Sequence, residues 1–97
     1  MTNDLEMQSF DSVWDAIEDT PEEAANMRLR SELLTAVEQE VRSWGLTQSK
    51  AAERLGVTQP RLNDLLRGKI AKFSLDALVD LSARAGLAVT LGVEKAA

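Results

Sequence analysis

The stretch "GVTQPRLNDLLRGK", Gly56 to Lys69, decides how this chain folds. Leu62 and Leu65 sit at helical spacing, yet Pro60 stands near the front of the run. Inside a helix a proline removes a backbone donor and clashes with the preceding turn. The conflict disappears if the helix starts there, because the first N–H groups of a helix have no intrahelical partner. Two frames meet that condition: Gln59 caps and Pro60 is first, or Thr58 caps and Pro60 is second. The residue before a proline is biased away from helical angles, which favours the Gln59 frame.

Immediately upstream, "LTQSKAAERLG" reads as another short helix, with Thr47 as its cap and Ala51, Ala52 and Leu55 on its buried side. The small Ala52 lets a second helix cross closely. Gly56 can adopt a positive φ at the corner without a Cβ clash. Val57, Leu62 and Leu65 then turn inward. Two short helices joined by a tight glycine turn make a helix-turn-helix.

Further out, Thr20 and Pro21 open a long helix that runs to about Ser43 and closes at Gly45. Leu29, Leu33, Val37 and Val41 mark its core face, with Leu34 and Trp44 beside it. Downstream, "KIAKF" links to Ser74, a cap for "LDALVDLSARA", which Gly86 ends. The last stretch alternates Leu87, Val89, Leu91 and Val93 with Ala88, Thr90 and Gly92. A period of two reads as a strand. A lone strand leaves its backbone groups unpaired, so the expected partner is the same strand of a second copy. The alternative is a coil packed on the domain.

At the other end, Phe10, Val13, Trp14 and Ile17 fall at i, i+3, i+4 and i+7, the stripe of a short amphipathic helix. So short a helix is marginal alone. Its stripe packs either on the long helix or on another protein. The expected architecture is all-α, about five helices, with a short C-terminal β-strand pairing across a homodimer. Residues 1–20 are expected to form an acidic arm, and residues 21–97 the helix-turn-helix and dimerisation domain.

The 97 residues, 44% hydrophobic, suffice for one small domain. No apolar run is long enough to span a membrane, and the N-terminus lacks the pattern of a secretion signal. There is no cysteine, hence no disulfide or thiolate metal site, and the expected compartment is a reducing cytoplasm. Histidine is absent as well, which removes the commonest general base and zinc ligand. The chain therefore does not read as an enzyme, and no cofactor is expected. The carboxylates Asp15, Glu18, Asp19 and Glu22 have no spacing that fixes a metal cage.

The net charge of −5 conceals a division. Residues 1–27 carry eight acids and no base, whereas residues 42–72 carry seven bases against Glu53 and Asp64. Such asymmetry points to two different partner surfaces. The basic stretch coincides with the helix-turn-helix, whose second helix presents its N-terminal residues to base edges in the major groove. Thr58, Gln59, Arg61 and Asp64 are the polar residues placed to read bases. Gln bonds adenine in two places, Arg does so with guanine, and Asp accepts from cytosine. Pro60 offers apolar contact, for instance to a thymine methyl. Lys50, Arg67, Lys69 and Lys72 would neutralise phosphates, and Gln48 would donate to one where the helix dipole assists. The plain alternative is a scaffold that binds no DNA, with ordinary solvated charges and Asp64 paired to a neighbouring arginine.

The run "LTQSKAAERLGVTQPRLNDLLRGKIAKFSLDALVDLSARAGLAVTL" resembles the lambda-repressor-like, XRE-type helix-turn-helix family. It is most similar to the HigA-type antitoxin branch, where a "TQPR…DLLRGK…FSLD" run recurs, and the likeness covers about residues 13 to 92. The resemblance implies a homodimer on a palindromic operator, commonly its own promoter. Thr58, Gln59, Arg61 and Asp64 match the family's base readers, and Gln48 and Arg67 its phosphate contacts. Phage repressors often carry a polar reader where Pro60 stands, so their operator preferences do not transfer. Antitoxins of this kind also silence a toxin, usually a basic ribonuclease. The acidic arm with Phe10, Val13, Trp14 and Ile17 would suit such a target.

Overall fold

The computed structural model describes residues 20–96. Among them are four α-helices: α1 (Pro21–Ser43), α2 (Gln48–Leu55), α3 (Gln59–Leu66) and α4 (Leu75–Arg84), with a single 3-10 turn at Ile70–Lys72. The Phe10–Ile17 stripe, the arm's expected helix, and Asp15, Glu18 and Asp19 lie outside the described residues.

Each α-helix starts on a hydroxyl. Thr20, Thr47, Thr58 and Ser74 have extended backbones, and each side chain accepts from the N–H three residues on. For α3 this corrects the preferred frame. Thr58 is the cap, its Oγ1 3.3 Å from the Arg61 amide nitrogen, and Pro60 is the second helical residue. Threonine is a strong cap, and its bond is worth about 1 kcal/mol. That bond outweighs the bias against a helical Gln59, and Pro60 still sits among the orphan donors.

α1 packs against α4 and α2 against α3, and α3 also touches α1. The core joins Leu34, Val37 and Val41 of α1 to Ala51, Ala52 and Leu55 of α2, Leu62 and Leu65 of α3, and Leu78 and Leu81 of α4. Phe73, read as part of a link, is fully buried and belongs to this core. The buried arc of α1 runs through 34, 37 and 41. Leu29, expected on that arc, is 44% exposed and lines an open groove between α1, α4 and residues 87–91.

The expected C-terminal strand does not form. Residues 87–96 have no regular secondary structure. Leu87 donates to the Ser82 carbonyl at 2.9 Å and rests against the core, but Val89, Leu91 and Val93 are exposed. The reason is physical: a ladder needs a second edge, and there is no other strand among the described residues.

Candidate nucleic-acid interface

The turn between α2 and α3 is built on Gly56, whose φ of 79° is left-handed. The carbonyl of Ala52 accepts from both Gly56 (2.8 Å) and Val57 (3.0 Å), which satisfies the end of α2. Ala52 itself is buried, and α2 and α3 pack against each other. From α4, Arg84 Nη1 donates to the Gly56 carbonyl at 3.0 Å.

This turn pushes the front of α3 into solvent. Thr58, Gln59 and Pro60 are all exposed. Gln48 and Lys50 are exposed at the front of α2, and Arg67 at the far end of α3. Among the described residues neither Lys50 nor Arg67 has an acidic partner. The family model described as a helix-turn-helix domain matches residues 16–94. The chain belongs to this helix-turn-helix family. No curated protein matches the chain. Family membership points to a DNA-binding regulator. No described helix is long and apolar enough to cross a membrane.

Not every residue expected at the interface stands free. The Arg61 guanidinium folds back: Nη1 donates to the Lys72 carbonyl at 2.8 Å, and the group lies 4.0 Å above the Phe73 ring centroid. Asp64 holds Lys69 at 3.7 Å and Lys72 at 3.6 Å, one on each carboxylate oxygen. Its partner is thus a pair of lysines, not the neighbouring arginine that the plain alternative supposed. Lys69 and Lys72 remain substantially solvent-exposed, so the trio presents one net positive charge toward solvent.

Three residues of this helix-turn-helix domain, Asn63, Arg42 and Arg30, are not picked out by the reading of the sequence. Asn63 lies part-exposed on α3, four residues from both Gln59 and Arg67. That i, i+4 spacing was the available clue. Arg42, paired with Glu38, donates to the Leu66 carbonyl at 3.0 Å and so caps the end of α3. Arg30 reaches the carbonyls of Ile70 (3.4 Å) and Phe73 (3.3 Å). These last contacts join positions 24 to 43 residues apart, and no local periodicity encodes them.

Proposed function

We propose that this helix-turn-helix domain is a sequence-specific, double-stranded-DNA-binding transcriptional repressor that acts as a homodimer. We propose further that it is the antitoxin of a HigBA-like pair, repressing its own operon and neutralising a ribonuclease toxin. One observation carries the DNA reading: the exposed edge Thr58–Gln59–Pro60, flanked by the exposed cations Lys50 and Arg67. In a chain of net charge −5, residues 42–72 carry seven of the eleven basic side chains. In this reading the edge faces base pairs in the major groove. Gln48, Lys50 and Arg67 meet phosphates, and Lys69 and Lys72 add field without leaving Asp64.

The exposed, alternating tail supports the dimer. Two copies pairing through Leu87, Val89, Leu91 and Val93 would supply the edge that one copy lacks. Two-fold symmetry then sets half-sites about 34 Å apart, one turn of the duplex. The eight acids of residues 1–27 support a basic toxin as partner. With neither histidine nor cysteine in the chain, a binding role is favoured over an enzymatic one.

A gel shift of the chain's own upstream DNA, repeated across salt concentrations and with the neighbouring gene product, tests the whole reading. The expected result is a shift that weakens as salt rises, because phosphate contacts release counterions, and a ternary complex with the neighbour. A salt-sensitive shift without a ternary complex would point to a stand-alone regulator. No shift at low salt would leave a protein-interaction module that uses the motif as scaffold.

A further inference from the structure

We propose that Asn63 is a base-reading residue, and that Arg61 and Asp64 are positioning residues that hold α3 at the angle it needs. The inference rests on the DNA-binding reading above and assigns the work within it.

Gln59 and Asn63 of α3 and its C-cap Arg67 recur at intervals of four residues. Four residues rise about 6 Å along a helix axis, nearly two base-pair steps, so Gln59 and Asn63 meet different base pairs of a groove the helix lies in, with Arg67 beyond them at the phosphates. Asn63 has no side-chain hydrogen-bond partner among the described residues. Its amide therefore keeps both a donor and an acceptor available, the pair that matches adenine N6 and N7.

Arg61 is two residues from both Gln59 and Asn63. Residues at i and i+2 do not share a helix face. Its guanidinium is stacked on Phe73, which is 1% exposed, and donates to the Lys72 carbonyl. Reading guanine would require it to leave both. Asp64 is likewise occupied, its two oxygens divided between Lys69 and Lys72. Together these contacts bind the outer flank of α3 to residues 69–73, while Leu62 and Leu65 bind its inner flank to the core. The helix is held on two sides, and Gln59 and Asn63 stand between them.

The test uses the full chain and a pool of randomised duplexes of about 20 bp, two helical turns. Selection on wild type defines a preferred site. Fluorescence anisotropy then measures each variant on that site and on its single-base substitutions. N63A is expected to keep the wild-type melting temperature and lose discrimination at one position per half-site, by roughly 5- to 150-fold. N63D, which can only accept, is expected to move that position toward cytosine. R61A is expected to weaken all duplexes by the same factor, at a temperature where circular dichroism shows it fully folded. Its base preferences stay as in wild type, and R61K recovers part of the affinity. If N63A and N63D leave every preference intact, or R61A alters one position selectively, the assignment is overturned. If wild type itself enriches no sequence, the DNA-binding reading falls and takes this inference with it.

Discussion

The α2–α3 motif and the tail of residues 87–96 are both short, both patterned and both flanked by glycine, yet one is fully organised and the other is not. In the motif every structural need is met inside the chain. Thr47 and Thr58 cap, Gly56 turns, Leu62 and Leu65 are buried, and Arg42 and Arg84 close the ends. In the tail, the side chains alternate correctly but Leu91 and Val93 are 85% and 84% exposed. Pattern specifies which face an element would bury. Whether it forms depends on whether a partner is present.

If that contrast is sound, substitutions in the motif cost monomer stability and substitutions in the tail do not. The largest effect is expected from L62A. Leu62 is completely buried, and truncating such a residue costs about 2–5 kcal/mol. A thermal melt should show a drop of several degrees for each kcal/mol in a domain of this size. Next is G56A, where a Cβ must adopt a left-handed φ of 79°, at about 1–2 kcal/mol. A melt unchanged from wild type would mean the turn relaxes and the motif is less constrained than drawn. T58A removes the cap of α3 and should cost about 1 kcal/mol by urea titration. The smallest monomer effect belongs to the double variant L91D/V93D, within about 0.5 kcal/mol, since both side chains already meet water. If the tail pairs two copies as proposed, wild type should run as a dimer in light scattering and the same variant as a monomer. A variant that remains fully dimeric would remove the tail from the seam.

What could be read in advance follows the same division. Hydroxyls before apolar periodicity marked where the helices begin, because capping is a local contact between residues three apart. The inward leucines of α3 and the small Ala52 were legible for the same reason. Thr58 displaced Gln59 as cap because two local preferences compete there and only the bond's geometry decides. Leu29 was misplaced because a long amphipathic helix does not state where its covering partner stops. The roles of Arg61 and Phe73 were hidden for another reason: their contact joins positions twelve apart across a turn, and neither residue type announces it. The strand was legible as periodicity alone.

The Arg84–Gly56 bond, with that from Arg42 to Leu66, bears on transplantation. A fragment holding only residues 47–69 would leave both donors behind and arrive in a new host with its corner and its exit unsupported. Exchange of operator preference between such proteins is therefore better done by swapping solvent-facing side chains on an intact frame than by grafting the motif as a cassette.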